Sequence, residues 1–207
     1  MQRVASSFSF QNERAIVSYV DNRKEVIPVG LVERLCPRVL LLPGLTFWPD
    51  LLAVNALPNR SQILVYQECQ HTDRTLANPG LAEALAAVDI FAPNEGEALQ
   101  LTGAATAEDA LARLAQIVPM VIIKLGAQGA IAQRGKETAR SPALAVHVVD
   151  TTGAGDSFNA GFLYGLLQDM SLQDCLRCGN IVGGLSTTAP GAQAVPDGAT
   201  LARLLRP

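Results

Sequence analysis

Short apolar runs alternate along this chain with longer stretches in which apolar residues recur every three or four positions. A short apolar run bounded by Gly, Pro or Asn predicts a buried strand. The longer period predicts a helix with one apolar face. On this pattern strands are predicted over 38–42, 62–66, 88–91 and 120–124. Helices are predicted over 28–36, 47–56, 81–87, 95–101, 107–117, 153–168 and 197–205, and another runs from Ser171 to the break at Pro190-Gly191. Residues 130–133 and 137–139 read as an antiparallel excursion around Arg134-Gly135-Lys136. Residues 4–10 and 15–20 read as a hairpin.

Alternating strands and helices predict an α/β fold: a largely parallel sheet with helices on both faces. The first twenty-five or so residues do not share the alternation. They are read as a small β appendage (1–25) on an α/β body (26–207). In such sheets ligands bind beyond the carboxyl ends of the strands. The informative ends are Ala92-Pro93-Asn94, Lys124-Leu125-Gly126 and, after the apolar run Ala145 to Val149, Asp150-Thr151-Thr152. All carry polar or glycine positions that a fold alone does not require.

Composition narrows the function classes. With 49% apolar and 17% charged residues, 207 residues make a globular chain with ample core. A net charge of −3 gives no reason to expect nucleic acid or a membrane surface as partner. No apolar run reaches bilayer-spanning length, and Met1-Gln-Arg-Val-Ala-Ser-Ser lacks the apolar core of a signal peptide, so a cytoplasmic location is expected. Cys175-Leu-Arg-Cys178 has redox or zinc spacing, but it falls inside a predicted helix with no second pair, so helix packing is expected. His71 and His147 have no partner pattern.

The densest chemistry is Asp150-Thr-Thr-Gly-Ala-Gly-Asp-Ser-Phe-Asn-Ala-Gly-Phe-Leu163. A glycine-bearing turn that runs into a helix aims backbone N–H groups and the positive end of the helix dipole at one place, where an anion binds. Asp156 falls in the first turn. By itself it is equally a helix-stabilising charge or a base held beside a phosphate.

This stretch closely resembles the C-terminal signature of the PfkB carbohydrate kinases, the ribokinase-like family of sugar and nucleoside kinases. Asn94-Glu-Gly-Glu97 is similar to the family's N-x-x-E element, and Ile123-Lys-Leu-Gly126 with Gly129 to its nucleotide-side strand and glycine turn. Asn180 with Thr187-Thr188-Ala-Pro-Gly191-Ala is similar to its adenine-side helix and loop. The resemblance implies a ribokinase-like fold and transfer of the ATP γ-phosphoryl group to a sugar or nucleoside hydroxyl. It implies that Asp156 is the catalytic base and that the N–H groups of Gly153, Ala154 and Gly155 form the anion hole. Asn94 and Glu97 would face the triphosphate and its Mg²⁺, largely through water. Lys124 would be a solvated or phosphate-near charge. Gly126 and Gly129 would let the nucleotide lie along the strand end, and Asn180 and Gly184 would flank the adenine. Asp150 and the Thr152 carbonyl correspond to part of a monovalent-cation site, for K⁺, that some members have. The plainer alternatives are a simple helix start for Asn94 and Glu97, packing for Asn180 and Gly184, and a strand-end cap for Asp150.

Members of that family also begin with strands carrying a Gly-Gly motif and a sugar-gripping Asp, which do not precede Met1 here. The first hairpin resembles part of their lid. The expectation is therefore an intact nucleotide half with most of the acceptor half missing. Three explanations compete: a shortened chain, completion by a partner chain, or a nucleotide binder that phosphorylates no sugar. Loss of strands from a parallel sheet exposes an edge, which predicts a homodimer or aggregation.

Overall fold

The computed structural model describes residues 3–9, 14–20, 27–45, 48–70 and 72–206. The expected hairpin turn at 11–13, Phe47 and His71 lie outside them. β1 (Arg3–Ser9) and β2 (Arg14–Val20) pair antiparallel as a two-stranded sheet of their own. The body follows in the order α1 (Val29–Leu35), β3 (Val39–Leu42), α2 (Trp48–Asn55), β4 (Leu64–Glu68), α3 (Leu81–Ala86), β5 (Ile90–Ala92), α4 (Glu95–Thr102) and α5 (Ala107–Leu114). It continues with β6 (Met120–Lys124), β7 (Ala130–Arg134), β8 (Glu137–Ser141), α6 (Ala154–Leu167), α7 (Leu172–Ser186) and α8 (Gly198–Leu204).

One six-stranded sheet runs β3-β4-β5-β6-β7-β8, parallel from β3 to β6 and antiparallel from β6 to β8. Successive strand residues point to opposite faces. Val65, Phe91, Val121 and Ile123 pack on one face with residues of α1 to α5. Tyr66, Ile90, Met120 and Ile122 pack on the other with Phe158, Phe162, Leu172 and Leu176 from α6 and α7. α4, α5, α7 and α8 start at side-chain caps: Asn94, Thr106, Ser171 and Asp197 each accept the N–H of the residue three positions on. This is the α/β architecture that the hydrophobic pattern predicts.

Three elements differ from the sequence reading. β4 lies two residues later than expected, because a 3₁₀ turn over Arg60–Gln62 takes up Gln62, the expected first residue, and Glu68 stands at the strand end. The run Ala145 to Val149 forms no strand. Its chain has left the sheet edge at β8, Val148 and Val149 are 53% and 55% exposed, and the N–H groups of Val149 and Asp150 both donate to the Thr187 carbonyl. α7 ends at Ser186, short of Pro190, where the hydroxyls of Thr187 and Thr188 donate to the Gly184 and Leu185 carbonyls.

Cys175 and Cys178 are buried inside α7, with their sulfurs against Met170. Burial pushes the Cys175 thiol up to about 11, where it is a poor nucleophile. The pair packs, as its helix position predicts. Among the described residues no helix is long and apolar enough to cross a membrane.

α6 and α7 lie against each other on glycines. A Cβ on Gly161 would stand 2.6 Å from the Cys178 carbonyl oxygen, and one on Gly179 would stand 2.8 Å from the Phe158 ring. Backbone cannot yield there as a side-chain tip can. Gly161→Ala is expected to destabilise the chain by about 1–3 kcal/mol through overpacking. Gly198→Ala, where a Cβ meets nothing within 4 Å, is expected to be neutral or mildly stabilising. Urea denaturation of both variants checks this.

Candidate active site

The entry to α6 is held by a carboxylate clasp. Asp150 Oδ1 accepts the N–H of Thr152 at 2.9 Å, and Oδ2 accepts the N–H of Gly191 at 2.9 Å. The turn is thereby tied to the loop after α7. Gly153 caps the helix at φ 75°, a left-handed conformation that glycine adopts without strain. Ala154 N–H donates to the Thr151 carbonyl at 3.2 Å, and Ser157 N–H to the Gly153 carbonyl at 2.9 Å. The N–H groups of Gly155 and Asp156, in the first turn, have no acceptor within the helix and lie at the positive end of its dipole. Of the expected donors, Ala154 thus serves the turn, while Gly155 stays directed outward with Asp156. The Asp156 side chain is exposed on this turn.

A cleft of about 330 Å³ opens beside that turn. Gly126 and Ala127 form one wall, residues 143–148 another, and α6 and α7 the floor, with Phe158 and Leu144 supplying apolar surface. The sequence-predicted Lys124, Gly126, Gly129, Ala154 and Gly155 line it, as do Asn180 and Gly184 from α7. Gly153 and Asp156, the sequence neighbours of Ala154 and Gly155, are not among its lining residues. Asn180 is only 7% exposed, and its Nδ2 donates to the Ser141 carbonyl at 2.9 Å, so it also fastens the exit of β8. Gly129 has a reason other than a nucleotide: at φ 89°, a Cβ there would lie 2.0 Å from the Ser141 carbonyl oxygen. The chain leaving β8 passes across it.

Asn94 and Glu97 do not line this cleft. They close a capping box, with Asn94 Oδ1 accepting the Glu97 N–H and Glu97 Oε2 accepting the Asn94 N–H, both at 2.9 Å. The helix-start reading therefore describes their geometry. They remain near the site through a bridge between Asn94 and Lys124, whose N–H donates to the Pro93 carbonyl at 3.1 Å.

Lys124 is the centre of the charge distribution. It is half-buried, and burial pushes its pKa down while the carboxylates of Glu68, Glu97 and Asp156 pull it back up. Its Nζ lies 3.5 Å from Asn159 Oδ1 and 3.6 Å from where a Cβ on Gly155 would stand. The ammonium therefore sits over the first turn of α6. Glu68, at the end of β4, is held up by burial, against the pull of Lys124. Sequence reading missed three residues of this group: Glu68, Asn159 and Tyr66, whose hydroxyl donates to Asn159 Oδ1 at 2.6 Å. The available signal for Asn159 was a polar side chain one turn beyond Asp156 in an otherwise apolar stripe.

No group of three or more His, Cys, Asp or Glu side chains among the described residues could hold a metal ion. Mg²⁺ would need no such group, since it keeps several waters and is bound through one or two carboxylates and substrate phosphates. Both carboxylate oxygens of Asp150 accept backbone N–H groups, the geometry of a loop clasp.

Residues 51–198, well over half of the chain, match the pfkB family carbohydrate kinases. The chain belongs to that family. The ribokinase of Lactococcus lactis is 29% identical over 190 residues, which are 86% of this chain and 61% of that protein. The ATP-dependent 6-phosphofructokinase of Thermoanaerobacterium thermosaccharolyticum is 40% identical over 109 residues, 52% of this chain and 34% of that one. The chain therefore spans less than two thirds of these relatives' lengths. A solved structure of Arabidopsis thaliana ribokinase complexed with ribose and ATP superposes with a TM-score of 0.78 at 25% identity, over 95% of this chain and 66% of the other. The ribokinase-like fold implied by the signature at 150–163 is thus present in this pfkB family chain.

Glu68→Gln removes the carboxylate that does most to support the Lys124 ammonium. Since Glu68 raises the Lys124 pKa, its loss is expected to lower it further. An NMR titration of the Lys124 side chain reads the shift, and an unchanged or raised midpoint would show that the two charges do not interact.

Proposed function

We propose that this pfkB family chain is an ATP-dependent phosphotransferase acting on a hydroxyl of a sugar or nucleoside. The observation that carries the reading is one junction. An apolar cleft ends at the first turn of α6, where outward N–H groups, the Lys124 ammonium and the exposed Asp156 carboxylate meet. The apolar walls by Leu144 and Phe158 suit a base, and Asn180 and Gly184 lie where they would flank it. The first-turn donors suit a phosphate chain. That the Arabidopsis relative is complexed with ribose and ATP supports the same partners for this chain.

In this reading ATP supplies the phosphoryl group. Gly153, Ala154 and Gly155 present backbone to it, with Gly155 N–H and Lys124 Nζ as the outward donors. Asp156 takes the proton of the acceptor hydroxyl, which need move only late in a loose phosphoryl transfer. Glu97 and Asn94 would hold Mg²⁺ through water, where the ion offsets phosphate charge. Asp150 and the Thr152 carbonyl would contribute to a K⁺ site. The hairpin of β1 and β2 would serve as a lid over the acceptor, within residues 1–25, and the body would be 26–207. A cytoplasmic location and a homodimer joined through the open edge of β3 complete the proposal.

A second reading keeps nucleotide binding without transfer. In it the cleft and the first-turn donors hold the nucleotide, and Asp156 is a helix-stabilising charge in the first turn of α6. Asp156→Asn is expected to retain ATP affinity and to lower acceptor-dependent ADP formation by about 10²–10⁴-fold. Coupled assays with pentoses, hexoses and nucleosides check this. ATP binding with no acceptor-dependent turnover in the unmodified chain would favour the second reading. Activity unaffected by the substitution would remove Asp156 from the chemistry.

A further inference from the structure

Lys124 is an awkwardly placed cation. It is half-buried, and it stands over the positive end of α6, where the helix dipole disfavours it. The acidic groups that face it are Glu68 from β4, Glu97 from α4 and Asp156 from α6, with the Cys69 thiol nearby. These attract the ammonium from several sides and do not by themselves fix its direction. The acceptor within reach is Asn159 Oδ1, at 3.5 Å.

Asn159 is fully buried, and its amide orientation is set by its neighbours. Its oxygen accepts from the Tyr66 hydroxyl at 2.6 Å and faces Lys124, while its Nδ2 is buried without a partner. Turning the amide over would place its NH₂ against an ammonium that can only donate. The side chain thus leaves its own donor unsatisfied while its acceptor meets Tyr66 and Lys124. A buried unpaired polar group normally has a reason. Tyr66 is itself fully buried on β4, so the hydroxyl, the amide and the ammonium form a chain from the sheet to the first turn of α6.

We propose that Tyr66 and Asn159 are positioning residues, whose hydroxyl–amide relay aims the Lys124 ammonium at the phosphate chain of a nucleotide bound against the first turn of α6. This rests on the nucleotide reading of the cleft. Lys124 then recognises the β- and γ-phosphates as a point charge. The base-side residues of the cleft are untouched by the relay. Loss of the relay weakens the phosphate increment of binding and leaves the base increment in place.

Titration calorimetry of the full chain with Mg-ATP and with AMP separates the two increments. Lys124→Met is expected to shrink the ATP-over-AMP preference by about tenfold, the scale of a charge-assisted hydrogen bond. Tyr66→Phe and Asn159→Ala are expected to shrink it in the same direction with AMP affinity unchanged. Tyr66→Phe deletes a single oxygen, so it keeps the test available where Asn159→Ala fails to fold. A preference unchanged in Tyr66→Phe or in folded Asn159→Ala, while Lys124→Met lowers it, would overturn the positioning role alone. Equal losses of AMP and ATP affinity in the relay variants would overturn it in favour of a structural role. Binding of neither nucleotide by the unmodified chain would overturn the nucleotide reading together with this proposal.

Discussion

The close approach of α6 to α7 determines where the chemistry can occur. Glycines at 161 and 179 let a carbonyl and an aromatic ring occupy space that a Cβ would take. α6 can therefore lie low on the sheet face, with Phe158 and Phe162 among the sheet's buried side chains. Its first turn then reaches the carboxyl end of β6, and Gly155 comes beside the Lys124 ammonium. The outward N–H groups, the ammonium and the exposed carboxylate meet because the helix is set at this depth. A seam of small residues between α6 and α7 thus sets the depth of the helix whose first turn lines the cleft.

A second constraint is electrostatic. Burial opposes the charge on Lys124, and so does the dipole of α6, while carboxylates from β4, α4 and α6 favour it. The ammonium is therefore held between opposing effects, with the Asn159 amide oxygen 3.5 Å away. The Asp150 clasp fastens the turn before α6 to the loop after α7, so that two cleft walls are held as one.

Much of this was legible in the sequence. β6 occupies the predicted Met120–Lys124, and the caps at Thr106 and Ser171 sit where polar residues precede apolar periodicity. The turn at 150–156 and its neighbours at Gly126, Asn180 and Gly184 converge on one cleft, as the strand-end rule requires. The failures were local. A 3₁₀ turn takes up Gln62, where β4 was expected to begin, and that two-residue displacement concealed Glu68 as a strand-end group. Ala145 to Val149 looks like a strand by composition, yet it lines the cleft beyond the edge of the sheet, with Val148 and Val149 half exposed. Asn159 and Tyr66 could not be joined from sequence, because their hydrogen bond links residues 93 positions apart. Gly129 suits a nucleotide-side turn in pattern, while its steric need comes from the chain leaving β8.

The central claim is that a nucleotide occupies the cleft with its phosphates at the start of α6. Amide hydrogen exchange of the intact chain, with and without Mg-ATP, tests it most directly. Slowed exchange is expected at the first turn of α6, at 126–129 and at 184–191. Unchanged exchange in those segments at saturating ATP, or protection confined to another part of the chain, would contradict it.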